Sequence, residues 1–314
     1  MTAPVIAVVG PTATGKSDLG VALALALGGE VVNTDAMQLY RGMDIGTAKL
    51  APAERAGVPH HQLDVLEVEQ EASLAAYQEA ARADLAAILA RGRRPVTVGG
   101  SGLYVRALLD HFELGPADPA LRADLEDRLA VEGVAPLVAE LHALDPAGAA
   151  RIDPRNARRV VRALEVARLG APVRPDLPEH TAVRPTVIIG LDIARDVLDE
   201  VVEDRVGRMW AAGLVAEVAG LAGRIGRTAA TAVGYAQVLA QLRGEATEAE
   251  ARERVVIATR RLARRQMSWF GRDPRVHWFD ARDPDLAERA LAVVAAADAG
   301  RLRPAPSERR TLGR

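Results

Sequence analysis

The stretch from Val5 to Ser17 constrains the fold more than any other part of the chain. Its first five residues, VIAVV, are apolar and mostly β-branched, which is typical of a fully buried strand. The next eight, GPTATGKS, fit the pattern G-x-x-x-x-G-K-[ST] of a phosphate-binding loop, and an amphipathic run follows from Asp18 to Leu27. This order of strand, loop and helix predicts an α/β protein with an anion site at the helix N-terminus.

Each residue type in this loop has a chemical use. Glycines let consecutive backbone N–H groups curl around a phosphate, Lys16 supplies a mobile charge for the outer phosphate, and the Ser17 hydroxyl suits Mg²⁺. The predicted phosphate-binding residues are Gly10, Thr12, Ala13, Thr14, Gly15, Lys16 and Ser17, with Ser17 as the metal ligand.

Lysine is almost absent from the chain. Of 40 basic residues only Lys16 and Lys49 are lysine, and all the others are arginine. Because arginine serves wherever a plain positive charge suffices, these two positions are candidates for needing a compact ammonium on a flexible stem. Lys16 belongs to the phosphate loop, and Lys49 ends the segment GMDIGTAK.

The bulk properties narrow the class of protein. A chain of 314 residues with 49% hydrophobic and 26% charged residues is typical of a soluble globular protein of one or two domains. The absence of cysteine excludes disulfides and thiolate metal sites. We expect no signal segment before the first strand, and no apolar run reaches the roughly 18 residues of a membrane helix. We expect a cytoplasmic monomer with no membrane partner.

Two further strands are predicted to end in polar residues. The run from Glu30 to Asp35 ends in a carboxylate, and the strand at Val96–Val98 enters the turn GGSG, which contains Ser101. Because the carboxyl ends of parallel strands line the ligand crevice, Asp35 and Ser101 are expected beside the phosphate loop. Asp35 could instead cap a helix, and the two roles are compatible. The glycines of the turn are expected to let the backbone approach a ligand, with Ser101 donating a hydrogen bond there.

The pair His60-His61 follows Pro59 and permits two interpretations. The histidines could be a ligand pair or a general base, or they could be structural residues with satisfied hydrogen bonds. The second interpretation is the commoner one for such a pair.

Residues 115–183 differ from the rest of the chain in their predicted secondary structure. They contain helical patterns separated by Asp-Pro and Gly turns and no convincing strand, and a strand-like run resumes at Thr186–Asp192. Asp118-Pro119 and Asp145-Pro146 are predicted helix starts, with Asp as the cap and Pro in the first turn. We therefore predict a helical insertion at 115–183 within a catalytic core formed by 1–114 and 184–300. A last edge strand is predicted at Val276–Phe279, and residues 301–314 are predicted to be a disordered tail.

Two basic islands lie in helical regions. Residues 151–168 hold six arginines and two carboxylates, a net charge of +4, and residues 251–272 hold seven arginines and one carboxylate, a net charge of +6. On a chain of net charge −2 they suggest an anionic partner larger than one phosphate, or else solvated helix faces.

Eight segments, taken together and in order, resemble the tRNA dimethylallyltransferases (tRNA isopentenyltransferases) of bacterial type. They are GPTATGKS at 10–17, NTDAMQLY at 33–40, MDIGTAK at 43–49, PHH at 59–61, VGGSGLY at 98–104, ALEV at 163–166, AVGY at 232–235 and RRQ at 264–266. The first is shared with many nucleotide kinases, whereas the run from Asp35 to Lys49 is far more specific. The resemblance covers nearly the whole chain to about residue 280.

The resemblance implies a fold and a reaction. The fold is a P-loop NTPase-like parallel sheet flanked by helices, with an inserted all-helical domain that contacts the tRNA anticodon stem-loop. The reaction transfers a dimethylallyl group from dimethylallyl diphosphate to the N6 amine of the adenosine 3′ to the anticodon. Diphosphate leaves, and Mg²⁺ is the cofactor.

The resemblance also implies roles for single residues. Asp35 would accept a proton from the amine, Lys16 and Arg205 would bind the diphosphate, Ser101 would lie near the reacting centre, and Gln38 would help to hold the adenine. The implied tRNA contacts are Asp35, Ala36, Met37, Gln38, Ser101, Arg122, Arg158, Arg159 and Arg162, together with the cluster at 260–265. Thr231 and Ala236 stand where some relatives carry arginine, so contacts near Gly234-Tyr235 stay open.

Three other functions compete with this one. A P-loop small-molecule kinase would use the same loop to bind ATP. An isopentenyltransferase acting on free AMP or ADP would not need the helical insertion or the two basic islands. An RNA-binding or nucleotide-switch module without chemistry would not need Asp35 and Ser101 at strand ends.

Overall fold

A computed structural model describes residues 3–174 and 176–305 of the chain. By its internal contacts the chain divides into two compact units, one formed by residues 111–181 and the other by the segments on either side. The helical unit therefore begins and ends a few residues before the predicted 115–183. Of the predicted disordered tail, residues 306–314 lie outside the described residues, and residues 301–305 form neither helix nor strand.

The larger unit is built on a six-stranded parallel sheet. Its strands are β1 (Val5–Val9), β2 (Gly29–Asn33), β3 (His60–His61), β4 (Arg94–Val98), β5 (Thr186–Asp192) and β6 (Val276–Asp280). The strand order is β3-β2-β4-β1-β5-β6, and every pair is parallel. The predicted parallel α/β sheet is confirmed, and β6 is an edge strand as expected.

Thirteen α-helices occur in the described residues. In chain order they are α1 (Lys16–Leu27), α2 (Leu74–Ala90), α3 (Gly102–Leu109), α4 (Pro119–Glu132), α5 (Val134–Leu144), α6 (Pro146–Ala149), α7 (Ala157–Arg168), α8 (Arg195–Ala211), α9 (Leu214–Leu221), α10 (Arg227–Ala230), α11 (Tyr235–Leu242), α12 (Glu248–Phe270) and α13 (Leu286–Asp298). Two 3₁₀-helices add Met37–Leu39 and Pro52–Arg55. Within the described ranges, no helix combines the length and apolar character needed to cross a bilayer.

The central strand β1 is buried on both of its faces. Ile6 and Val8 pack in one hydrophobic cluster, with residues of α1 and α13, while Ala7 and Val9 pack in a second, with residues of α2 and α3. This arrangement explains the unbroken apolar run in the sequence, because a strand covered by helices on both sides has no polar face.

The smaller unit consists of α4 to α7 around its own core. Leu125, Leu137, Leu141 and Leu164 are fully buried there. The predicted Asp-Pro helix starts are confirmed, since the side chain of Asp118 accepts backbone N–H groups at the start of α4 and that of Asp145 does so at α6.

Candidate active site

The phosphate loop connects β1 to α1 and depends on its glycines. Gly10 has φ +139°, and a Cβ there would lie 2.5 Å from the carbonyl oxygen of Leu191 in β5. Gly15 has φ +74° and precedes the first residue of α1. The loop is closed internally by the Thr14 hydroxyl, which donates to the carbonyl of Pro11 at 2.8 Å. Side chains at the two glycines would deform the turn that presents backbone N–H groups to an anion.

This loop forms one wall of a cavity of about 960 Å³. The other walls come from the residues after β2, the segment from Asp44 to Arg55, and side chains of α8 and α12. Its polar lining includes Lys16, Ser17, Asp35, Gln38, Arg205 and Arg208, and its apolar lining includes Ile45, Val201, Met209, Val255 and Leu262. The cavity therefore joins a phosphate-binding loop to an apolar surface and a carboxylate.

Two partly buried cations line the cavity, Lys16 and Arg205, and the carboxylate of Asp35 offsets their burial only in part. Burial lowers the pKa of Lys16 to about 7, against the opposing effect of Asp35 and with a further lowering by Arg205. Burial likewise lowers the pKa of Arg205, and its Nε is buried without a hydrogen-bond partner in the described part of the chain. Lys16 Nζ donates to the Pro11 carbonyl at 2.5 Å. Two partly dehydrated cations favour a ligand that carries several negative charges.

Asp35 is held in place by its own turn. Its Oδ1 accepts the N–H of Met37 at 3.0 Å, and its backbone N–H donates to Asn33 Oδ1 at 2.9 Å. Asp35 thus lines the cavity and accepts the first N–H of the 3₁₀-helix Met37–Leu39, whereas the N-cap of that helix is Ala36 and not Asp35 as predicted. A carboxylate fixed in this way loses little conformational entropy when it receives a proton from a bound amine.

The Ser101 hydroxyl joins the turn after β4 to the turn after β2. Its Oγ accepts the N–H of Ala36 at 3.1 Å, and the described lining of the cavity includes neither residue. The expectation that Ser101 donates a hydrogen bond to the ligand stays a prediction, because accepting this bond leaves the hydroxyl proton available. In that position the hydroxyl helps to place the backbone next to Asp35.

The space beside the glycines around Ser101 is filled mainly by side chains of the protein. A Cβ at Gly100 would lie 2.2 Å from the side chain of Gln266, and one at Gly102 would lie 2.1 Å from the ring of Trp269. Both obstacles belong to α12. Of the three glycines only Gly99 lines the cavity in the described structure, so the predicted close approach to a ligand is limited to that residue.

Gln266 links the two glycine-containing turns. Its Oε1 accepts the N–H of Thr12 in the phosphate loop at 2.7 Å, and its Nε2 donates to the carbonyl of Gly100 at 3.1 Å. The residue is buried and also lines the cavity. Sequence reasoning gave it no role beyond membership of the segment RRQ, since its partners lie far away in the chain.

Lys49 has a structural role. Its Nζ donates to the carbonyl of Tyr40 at 2.8 Å and to carboxylate oxygens of Asp44 and Asp64, both at 2.6 Å. The side chain is 2% exposed. All three protons of the ammonium are thereby paired within the protein, which accounts for a lysine where arginine's planar fork would not fit.

The histidine pair also has structural partners. His60 Nδ1 lies 2.8 Å from the Val58 carbonyl, and His61 Nε2 lies 2.7 Å from Glu30 Oε2. Both residues form the edge strand β3. Nowhere in residues 3–174 and 176–305 do three or more His, Cys, Asp or Glu side chains group as a metal site would require. The structure favours the structural interpretation of the pair.

The arginines of the smaller unit fall into two groups. Arg122 and Arg162 both form ion pairs with Glu165, whose side chain is fully buried. Arg158 and Arg159 are exposed on α7, and among the described residues neither has a carboxylate within ion-pair distance. The first group compensates a buried charge, and the second is available to an external anion.

The second basic island divides in the same way. Arg260 pairs with Asp199 at 3.0 Å and with Glu203 at 2.5 Å, both on α8. Arg261, Arg264 and Arg265 are exposed on the outer side of α12. Arg252, Arg254 and Arg272 are exposed as well, so six of the seven arginines of the island face solvent.

Comparison with known proteins identifies the family. Residues 38–273 match the family model of the IPP transferases. The chain belongs to the IPP transferase family. A tRNA dimethylallyltransferase of Streptomyces avermitilis is 58% identical over 90% of this chain and 92% of its own length. One of Nocardia farcinica is 57% identical over 98% of both chains.

A solved structure supports the same family and fold. The full-length tRNA isopentenylpyrophosphate transferase of Bacillus halodurans is 39% identical and superposes with a TM-score of 0.71. The likeness covers 95% of this chain and 96% of that one. The fold of this IPP transferase family member, a parallel sheet flanked by helices around a phosphate loop, is therefore the fold of its solved relative.

Proposed function

We propose that this family member transfers a dimethylallyl group from dimethylallyl diphosphate to the N6 amine of the adenosine 3′ to the anticodon of tRNA. The allylic C–O bond breaks with its electron pair leaving on diphosphate, the N6–carbon bond forms, and N6 loses one proton. The observation that carries the proposal is a single cavity lined by the phosphate loop, Arg205, Asp35 and Gln38.

The cationic part of the cavity suits the leaving group. Burial lowers the pKa of Lys16 to about 7, and within the described ranges the Nε of Arg205 has no hydrogen-bond partner, so both side chains can pair with a ligand that carries several negative charges. As the allylic C–O bond lengthens, negative charge grows on the diphosphate, and fixed cations and backbone N–H groups stabilise it more strongly than they stabilise the bound substrate. The apolar lining from Val201, Met209 and Leu262 gives the hydrocarbon part a dry surface.

The carboxylate suits the acceptor. Asp35 lines the same cavity and is oriented by Met37 and Asn33. It accepts the N6 proton as the new bond forms, which makes the adenine nitrogen a better nucleophile. A volume of about 960 Å³ leaves room for a base beside the dimethylallyl diphosphate.

The donor set also suits Mg²⁺. This ion uses few protein ligands together with phosphate oxygens and waters, and the Ser17 hydroxyl lines the cavity at the start of α1. Ser17 and the diphosphate would hold the ion, which when bound neutralises charge on the leaving group.

The tRNA must present its adenosine outside the stacked loop. An enzyme that modifies a base in a pocket extrudes that base from its stack and holds the backbone elsewhere. We propose that Arg158, Arg159 and the exposed arginines of α12 contact the phosphates of the anticodon stem-loop. We further propose that one copy of the chain carries out the reaction, in the cytoplasm.

The test is a paired incubation of the protein with radiolabelled dimethylallyl diphosphate and Mg²⁺. One sample contains unmodified tRNA, and the other contains AMP. Label in tRNA alone is the expected result, and nucleoside analysis should place it on the adenosine 3′ to the anticodon. Label in AMP would move the protein to the free-nucleotide class. Label in neither sample, with ATP consumed in a further incubation, would indicate a kinase.

A further inference from the structure

The loop that begins at Asp44 is held by a carboxylate from a different part of the chain. Glu217 of α9 accepts the backbone N–H groups of Asp44 at 3.1 Å, Ile45 at 2.8 Å and Gly46 at 3.2 Å. Three consecutive N–H groups that converge on one anion form a concave site of the kind that binds phosphate in other loops. Here the anion is a side chain of the protein, so the loop is fixed without a ligand.

Tyr235 of α11 completes this arrangement. Its hydroxyl donates to Glu217 Oε1 at 2.5 Å, and its ring lies 2.4 Å from where a Cβ at Gly46 would be. Burial and the neighbouring Glu217 carboxylate raise the pKa of Tyr235 far above the physiological range, so the hydroxyl keeps its proton. Glu217 and Tyr235 together, here termed the loop clamp, leave no space at Gly46 for a side chain.

The clamped loop in turn orients a residue of the cavity. Gln38 Nε2 donates to the carbonyls of Thr47 at 3.1 Å and Ala48 at 3.3 Å. Both partners are acceptors, so the amide nitrogen must face them, and Oε1 is the end of the amide left to the cavity that Gln38 lines. An amide presented by its oxygen accepts from an amine, which adenine carries at position 6 and guanine does not.

We infer that Glu217 is a positioning residue that fixes the backbone at Asp44–Gly46 and, through the carbonyls of Thr47 and Ala48, sets the orientation of the Gln38 amide toward the acceptor base. The inference rests on the proposed function, because it assumes that the cavity receives adenosine. Glu217 acts through the loop and does not itself touch the substrate.

The kinetic test is a double-mutant cycle on tRNA. Glu217→Gln keeps the size of the side chain but removes the charge that draws three N–H groups and a hydroxyl, and it should raise KM for tRNA about tenfold. KM for dimethylallyl diphosphate should stay unchanged. Gln38→Met should raise KM for tRNA strongly in the wild-type protein and about fivefold less strongly in the Glu217→Gln background. Effects that simply multiply would overturn the inference.

Two further variants test whether the effect is specific to the loop clamp. Tyr235→Phe keeps the ring against Gly46 and removes one hydrogen bond, so it should shift KM for tRNA in the same direction by about threefold. Glu245→Gln removes an exposed carboxylate that pairs with Arg243, and it should leave every constant unchanged. A KM shift as large in Glu245→Gln as in Glu217→Gln would contradict a specific clamp.

Hydrogen exchange tests the clamp without any assay of activity. The amides of residues 44–46 should exchange at least about tenfold faster in Glu217→Gln than in the wild type, and Glu245→Gln should show no change there. Unchanged exchange at these amides refutes the clamp even if tRNA is modified. A wild-type protein that modifies no tRNA refutes the proposed function, whatever the exchange result.

Discussion

The two lysines of the chain differ in the hydrogen-bond partners of their ammonium groups. Lys49 is enclosed by three oxygens of the protein, from Tyr40, Asp44 and Asp64. Among the described residues Lys16 Nζ donates to one acceptor, the Pro11 carbonyl, and burial lowers the pKa of Lys16 to about 7. The same side chain therefore serves as a structural bond in one loop and as an incomplete anion site in the other.

The partners of a buried cation therefore indicate whether it serves the fold or a ligand. Removing a buried charge that the protein has paired destabilises the fold, because its partners are then left uncompensated. A buried charge that the protein leaves uncompensated costs stability that a ligand can return. Arg205, whose Nε has no hydrogen-bond partner in the part of the chain that the structure describes, belongs with Lys16. Arg122 and Arg162, paired with Glu165, belong with Lys49. The predictions below test this division between ligand-facing and structural charges.

The largest effect is expected at the ligand-facing carboxylate. Asp35→Asn keeps an oxygen to accept the N–H of Met37 but loses the ability to take the N6 proton. Turnover with tRNA should fall by about 10²–10⁴-fold, while the Kd for tRNA stays close to that of the wild type. Single-turnover kinetics and a filter-binding assay measure the two quantities. Near-normal turnover would contradict the proton-accepting role.

Lys16→Met should separate function from stability. Without the ammonium, kcat/KM for dimethylallyl diphosphate should fall by about 10²–10³-fold, because one preorganised donor to the leaving group is lost. The urea midpoint of unfolding should stay the same or rise, since a dehydrated charge is removed. A variant that loses activity together with folding stability would place Lys16 among the structural charges.

Lys49→Met should show the opposite pattern. The substitution removes the bonds of the ammonium to the Asp44 and Asp64 carboxylates, which are partly exposed, and should lower the free energy of unfolding by about 1.5–3 kcal/mol. Urea denaturation measures this change, with Lys16→Met as the matched variant. If Lys49→Met unfolds like the wild type but loses diphosphate binding, the division between the two lysines is wrong.

The smallest effect concerns the exposed arginines of the helical unit. Arg158→Ala combined with Arg159→Ala should reduce the slope of log Kd for tRNA against log salt by about 1.4 to 1.8. Arg155→Ala is the matched control, because Arg155 is exposed but already paired with Asp153, and it should leave the slope nearly unchanged. Equal slopes in the double variant and the control would show that α7 does not contact phosphates.

The sequence predicted those features that depend on neighbouring residues. The buried strand β1, the loop before α1 and the Asp118 cap arise from short-range patterns, namely apolar runs, glycines at fixed spacing and Asp-Pro pairs. Asp35 could be placed beside the phosphate loop because parallel strands bring their carboxyl ends to one edge.

The missing parts are bonds between residues far apart in the chain. Gln266 and Thr12 are 254 positions apart, and Glu217 and Ile45 are 172 apart. No local pattern indicates such a pair, because the contact exists only after the helices have packed on the sheet. For the same reason the sequence does not show that side chains of α12 occupy the space beside Gly100 and Gly102.

Proton uptake on binding of diphosphate tests the division between ligand-facing and structural charges most directly. Titration calorimetry with inorganic diphosphate at about pH 8, in buffers of different ionisation enthalpy, measures it. A Lys16 pKa near 7 leaves this group mostly neutral before binding, and a bound anion raises that pKa. The wild type should take up close to one proton more than Lys16→Met, and the difference should fall toward zero at about pH 6. Identical uptake by both proteins at about pH 8 would show that Lys16 is already charged before the anion binds. Lys16 would then not be a cation that depends on the ligand for its charge.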